Sequence, residues 1–171
     1  MTDDLDFEKL VDRFYAALYK FAFSLTQSEA EACDLTQETF YVWASRGHQL
    51  RESSKVKSWL FTTLHREFLK KRRRSVRFPH QEINESADEL PEVSPDMIEA
   101  IDRTSAVAAL SDLDDLFRAP LVLFYLKECS YNEIAEVLEI PLGTVKSRIA
   151  RGIRQLQHIF ASKSTALEKP R

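Results

Sequence analysis

SYNEIAEVLEIPLGTVKSRIARGIRQLQ, Ser130 to Gln157, decides how this chain is read. Ser130 followed by Glu133 has capping-box spacing: the hydroxyl takes an orphan backbone N–H and the carboxylate returns the bond. The pair predicts a short helix over YNEIAEVLEI, with Ile134, Ala135 and Leu138 facing a core and small Ala135 at a close crossing. Glu139-Ile140-Pro141 turns the chain. Val145, Ile149, Ile153 and Leu156 then recur at helical spacing and predict a second helix. Helix, short turn, helix is helix-turn-helix geometry. With its apolar stripe inward, the second helix leaves Thr144, Lys146, Ser147, Arg148, Arg151 and Arg154 on its free face or shoulders. His158 follows, and no acid occurs from Leu142 to Ala166. A recognition helix needs this set: arginine bonds guanine at two atoms, and lysine or serine reaches base edges or phosphate. A surface helix with one cationic side would carry the same charges. The turn, the small crossing residue and the missing acids favour DNA.

These cations are conspicuous because the 171-residue chain has a formal net charge of -3. A second basic cluster comprises Lys55, Lys57, Arg66, Lys70, Lys71, Arg72, Arg73, Arg74 and Arg77. Between the clusters lies an acidic span from Glu82 to Asp115. Two basic surfaces on either side of an acidic connector suggest two contacts with a polyanion, although solvated helix faces could look alike.

Working back toward the N-terminus, every periodic stretch is helical and no strand-like alternation occurs. Phe7, Leu10, Val11, Phe14, Leu18, Phe21, Ala22 and Leu25 make one stripe and predict a helix from about Leu5 to Leu25. Ser28 with Glu31 is a second capping box. It opens a helix with the stripe Ala32, Leu35, Thr39, Val42 and Trp43, stopped by Gly47. A third helix starts near Ser54, turns Val56, Trp59, Leu60, Thr63, Leu64 and Phe68 inward, and closes on the charge run ending at Arg74. From Ser75 to Val93 the period fails, two prolines intervene and carboxylates accumulate, as in a flexible linker. Ser94-Pro95-Asp96 suits a helix start, and Ile98, Ile101, Val107 and Leu110 continue it until Ser111 or Asp112. Leu116 to Lys127 is apolar and helical, with Pro120 kinking it or marking its start. The tail after Ile159 is polar and expected to fray. The predicted fold is all-α: two small helical domains, 5–74 and 94–160, joined by an acidic linker, 75–93.

Several function classes are disfavoured. No apolar run approaches membrane-spanning length. MTDDLDFEKL lacks the cationic and apolar regions of a secretory signal, so a cytoplasmic location is expected. Cys33 and Cys129 share no metal-ligand or redox spacing and are expected to be idle thiols. His48, His65, His80 and His158 are scattered, no nucleophile-base spacing occurs, and no glycine-rich phosphate loop exists. No catalytic site, metal or cofactor is expected.

LSDLDDLFRAPLVLFYLKECSYNEIAEVLEIPLGTVKSRIARGIRQLQ resembles the minus-35-reading domain of extracytoplasmic-function sigma factors of bacterial RNA polymerase. FYAALYKFAFSLTQSEAEACDLTQETFYVWASRGHQ followed by KVKSWLFTTLHREFLKKRRR resembles their other domain, which binds the polymerase clamp and the minus-10 element. The resemblance runs from about Phe7 to Phe160. DLTQETF, SWLFTTLHREFLKKRRR and GTVKSR in that order are highly specific. The resemblance implies partners: core polymerase, through the clamp of the beta-prime subunit and the flap of the beta subunit, promoter DNA, and in many members an anti-sigma factor. It assigns Asp34, Gln37 and Glu38 to the polar part of the clamp contact, and Leu35, Phe40 and Trp43 to its apolar part. Plain core packing competes for Leu35 and Trp43. It assigns a pocket for an unpaired minus-10 base to about Leu50 to Lys57, with Lys57 and Ser58 near it, and phosphate contacts to Arg66, Lys70, Lys71, Arg72 and Arg73. Trp59 could be a stacking platform, although its stripe position favours the core. Cys33 stands where family members often carry a further acid. A homodimeric helix-turn-helix regulator would bind a palindrome without polymerase. A protein-interaction module retaining a relic helix-turn-helix would bind no DNA.

Overall fold

A computed structural model of the chain describes residues 6–75, 108–125 and 129–167. Among these residues every regular element is helical: α1 (Phe7–Thr26), α2 (Glu29–Arg46), α3 (Val56–Ser75), α4 (Asp115–Tyr125), α5 (Tyr131–Leu138) and α6 (Leu142–Leu167). Single 3-10 turns at Gly47–Gln49 and Ser53–Lys55 join α2 to α3. Of the linker expected over 75–93 only Ser75 is described, as the last residue of α3; the rest of it, the helix start at Ser94 and the end of the Leu116–Lys127 helix lie outside the described residues.

One unit carries α1, α2 and α3, all mutually packed. α1 is opened by the Asp6 carboxylate, which accepts from Glu8 N at 3.3 Å, and ends at Gln27 in the left-handed conformation, φ 56°. Ser28 accepts from Glu31 N at 3.4 Å, as the capping box requires. The core is aromatic and aliphatic: Leu18, Phe21, Leu60, Phe61 and Leu64 are fully buried, and Phe21 and Phe61 lie 5.6 Å apart between centroids. Each such side chain contributes roughly 1.5–3 kcal/mol by leaving water. α2 buries two threonines without cost in lost hydrogen bonds. The Thr36 hydroxyl donates to Ala32 O at 2.7 Å and that of Thr39 to Leu35 O at 2.8 Å. Two expectations change here. Phe7 belongs to the stripe by spacing but is 45% exposed: it sits in the first turn of α1, where the Phe40 ring of α2 meets it edge-on and leaves the rest open. Phe61, off the predicted stripe, is wholly buried because α3 meets α1 on one side and α2 on another.

The α2 terminus depends on Gly47. A Cβ there would lie 2.5 Å from Trp43 Cδ2 and 2.6 Å from its Cε2. The bare backbone therefore makes room for a buried indole, which meets the Trp59 ring edge-on at 5.1 Å.

The other unit carries α4 and α6, packed together. α4 runs through Pro120 without ending there. Residues 108–111 form a helical turn ahead of it, and the buried Arg118 ties that turn to α4. Its guanidinium donates to Leu110 O at 2.8 Å, Ser111 O at 3.2 Å and Leu113 O at 2.7 Å, and pairs with Asp115 Oδ1 at 2.9 Å. A buried charge with this many partners is satisfied, and it supplies the orphan carbonyls of the preceding turn.

The capping box at α5 forms in full: Ser130 N donates to Glu133 Oε2 at 2.6 Å and Glu133 N to Ser130 Oγ at 3.2 Å. Ile134, Val137 and Leu138 are the buried residues of α5. Ala135 is half-buried, so Val137 replaces it on the expected core face. Glu139, φ 56°, reverses the chain in the left-handed region. Among the described residues the expected fray after Ile159 does not occur. α6 continues to Leu167, and Lys163 Nζ pairs with Asp112 Oδ2 at 2.8 Å.

Candidate nucleic-acid and protein interfaces

α6 is oriented by Val145, Ile149, Ile153 and Leu156, all buried. The sequence expectation for this stripe matches the structure because one apolar residue falls on every turn. Opposite it, Lys146 and Arg154 are exposed, while Thr144, Ser147, Arg148 and Arg151 are half-buried. Ser147 Oγ donates to Thr144 O at 3.0 Å, so its hydroxyl is partly engaged by its own helix. Six of the residues expected to face DNA thus share one helix and are open to solvent to differing degrees. α6 holds five lysines and arginines and no acid, a concentration of charge suited to phosphate.

α2 has the reverse character. Glu29, Glu31, Asp34 and Glu38 are its acids, and Arg46 in the last turn is its only cation. Asp34 and Gln37 are exposed and Glu38 is half-buried. Leu35 and Phe40, 1% and 5% exposed, are turned into the unit; they brace the helix from inside. Tyr41 is 69% exposed and is the most open large apolar side chain described. It lies three residues after Glu38, four after Gln37 and seven after Asp34, hence on their face. That spacing was available in the sequence, and Tyr41 was overlooked there. Beside this face, an aromatic row crosses from α2 to α1. Phe40 meets Phe7 and Tyr15 at 6.3 Å each, and Tyr15 continues to Tyr19. Cys33 lies at its edge, its Sγ accepting from Gln37 Nε2 at 3.4 Å and standing 4.0 Å from the Tyr15 hydroxyl. The sulfur contact, then burial, raises the Tyr15 pKa above its usual value.

α3 carries Arg66, Lys70, Lys71, Arg72 and Arg73 on exposed positions. Lys70 pairs with Glu67 at 3.3 Å, and the Arg72 guanidinium lies 5.9 Å from the Phe68 ring centroid. The last-turn arginines also face the negative end of the helix dipole, which favours their charge. Between α2 and α3 an open recess of about 300 Å³ is walled by Arg46, Gln49, Leu50, Trp59, Thr63 and Glu67, among others. Of the loop expected to form a pocket, only Leu50 takes part. Lys57 and Ser58 are half-buried and do not line it. Trp59 is half-buried: one side packs on Trp43 and another forms a wall of the recess. No sequence period could have grouped residues 46, 49, 59 and 67, which only the helix pairing brings together. His65, on α3 near Phe21, has its pKa lowered to about 4 by burial and is neutral at pH 7.

Three comparisons with known proteins match this arrangement. Residues 10–78 match the family model described as sigma-70 region 2, and residues 104–156 match sigma-70, region 4. The chain is similar to the ECF RNA polymerase sigma factor SigE of Mycolicibacterium smegmatis, 35% identical over 162 residues. The match takes in 92% of this chain, which spans 63% of that protein's length. It is 33% identical over 151 residues to the ECF RNA polymerase sigma factor SigL of Mycobacterium tuberculosis H37Rv, covering 86% of this chain and 85% of that one. Among solved structures it resembles the sigma factor RpoE of Bartonella quintana, co-crystallised with the anti-sigma factor NepR. That likeness has a TM-score of 0.72 at 26% identity, over 94% of this chain and 98% of the other.

Proposed function

The chain belongs to the extracytoplasmic-function sigma factors of the sigma-70 family, and from that premise we propose that it directs promoter-specific initiation by bacterial RNA polymerase. The observation that carries the reading is the opposition of charge between two exposed helix faces: acids around Tyr41 on α2, cations without acids on α6.

The α2 face docks on the clamp of the beta-prime subunit. Asp34, Gln37 and Glu38 form a polar rim around the Tyr41 anchor, a mixture that suits a protein interface. Leu35 and Phe40 hold that face in position from beneath. The α6 face enters the major groove at the minus-35 element. Arg148 and Arg151 bond base edges or phosphates, and Lys146 and Arg154 contact the backbone. The second unit also meets the flap of the beta subunit. The cations of α3 hold the displaced strand of the minus-10 element, and the recess beside Trp59 receives an unpaired base. One aromatic wall, Trp59, with donors and acceptors at the rim is the chemistry such capture needs. Residues 5–74 and 94–160 are the two functional domains, with 75–93 setting their spacing. An anti-sigma factor covers part of the same surfaces when the protein is idle. No described helix is long and apolar enough to cross a membrane, and we place the protein in the cytoplasm, working without catalytic chemistry of its own.

Run-off transcription with bacterial core polymerase tests this. Specific initiation that is lost in Asp34→Lys/Glu38→Lys supports it. Absence of any stable complex with core enzyme, together with binding to a palindromic duplex, would overturn it in favour of a homodimeric regulator.

A further inference from the structure

The first turn of α6 holds two residues left open to solvent, and their reading rests on α6 being the recognition helix. Leu142 is 38% exposed, one of four large apolar side chains left open among the described residues. Gly143 follows it. A Cβ at Gly143 would meet no described atom within 4 Å, and its backbone is not in the left-handed region. Neither packing nor conformation therefore asks for glycine, although glycine weakens a helix relative to alanine. Gly152, nine residues along the same helix, behaves differently. Its Cβ would stand 3.1 Å from Phe117 Cβ, so the crossing of α6 with α4 accounts for it. A glycine that its own fold leaves unused points to a surface approaching closely from outside.

That surface is a polyanion by charge, since Lys146, Arg148, Arg151 and Arg154 follow on the same helix and α6 has no acid. The apolar group that duplex DNA offers in its major groove is the thymine 5-methyl. We propose that Gly143 is the clearance that lets the DNA wall close on α6, and that Leu142 thereby reads a thymine by its methyl group. Lysine and arginine supply the attraction, while this apolar pair adds a preference for one base. A leucine there favours thymine over cytosine and leaves the phosphate contacts untouched.

The test uses the full chain in complex with bacterial core polymerase. Duplexes are selected from a random pool, and each thymine in turn is replaced by deoxyuridine, which lacks only the methyl. One replacement is expected to weaken wild-type binding about fourfold, the loss for one buried methyl, and to leave Leu142→Ala unaffected. Gly143→Ala is expected to melt about 2–4 °C higher and to bind about tenfold more weakly. A lower melting midpoint for Gly143→Ala would show that the fold needs the glycine and would overturn the inference. So would unchanged binding, or a wild type indifferent to every deoxyuridine. In the same assay Arg148→Ala/Arg151→Ala must lose affinity; if it binds as wild type does, the recognition-helix reading itself falls.

Discussion

α2 and α6 are two helices of one chain with opposite surfaces and opposite relations to their cores. α2 is packed against both α1 and α3, so apolar and threonine residues occupy more than one of its sides, and between its exposed ends an acidic strip through Asp34, Gln37, Glu38 and Tyr41 stays open. α6 buries one stripe, Val145 to Leu156, with Ala150 and Gly152 beside it, and carries exposed or half-buried cations on the rest. The contrast separates two tasks of a sequence. Buried residues decide where a helix lies; the remaining strip decides what it can meet. A narrow acidic strip with an aromatic centre fits one shaped, basic protein surface. A broad cationic face fits a regular array of phosphates.

Reversing the charge of the α2 strip should have the largest effect. Asp34→Lys/Glu38→Lys is expected to weaken capture of core polymerase on the order of 100-fold, since like charges would then face each other. DNA binding by α6 should be unchanged, which a pull-down paired with a duplex-binding assay would reveal. Loss of both activities would mean that the two faces are not independent. Next comes the support under α2. Gly47→Ala forces the Trp43 indole to move and should cost about 2 kcal/mol of stability in the first unit, read by denaturant unfolding; an unchanged midpoint would mean the indole has another place to go. On α6, Arg151→Ala should weaken duplex binding about tenfold and lower the slope of log affinity against log salt by about 1. A salt slope that does not change would remove Arg151 from the phosphate contacts.

The smallest effect is a pH dependence confined to the first unit. His65 has a folded pKa of about 4 against an ordinary 6.5, because burial disfavours its charged form. The unfolded chain therefore binds the proton first as pH falls. Stability is full above about pH 6.5 and is lost progressively toward pH 4, by roughly 1 kcal/mol at pH 5.5. His65→Gln should flatten this dependence; a variant that retains it would assign the effect to other groups.

Much of this architecture was legible in the sequence, and the failures have physical reasons. Ser28 with Glu31 and Ser130 with Glu133 could be read because a capping box is local: donor and acceptor lie three residues apart. Val145, Ile149, Ile153 and Leu156 could be read because one apolar residue falls on every turn of α6. Phe61 could not, since α3 has two neighbours and buries residues on two sides. Arg118 could not, because three of its partners are backbone carbonyls, which carry no residue identity. The continuation of α6 past Ile159 could not, because an ion pair between Lys163 and Asp112 spans fifty-one residues. The charge of each interface was plain in the composition of α2 and α6. The recess beside Trp59 was invisible, because its walls come from two helices and the connection between them.

Trp43 and Trp59, the chain's only two tryptophans, are both in the first unit and touch each other. Excited at the red edge of the near ultraviolet, where indole absorbs and tyrosine does not, the protein therefore emits from the first unit alone, and the helix-turn-helix, which holds no tryptophan, is silent to that probe. An emission shift on adding single-stranded DNA would be a direct signal from the recess wall, and circular dichroism recorded alongside would follow the helices of both units. The edge-on indole pair thus gives this protein a built-in dye whose address is already known.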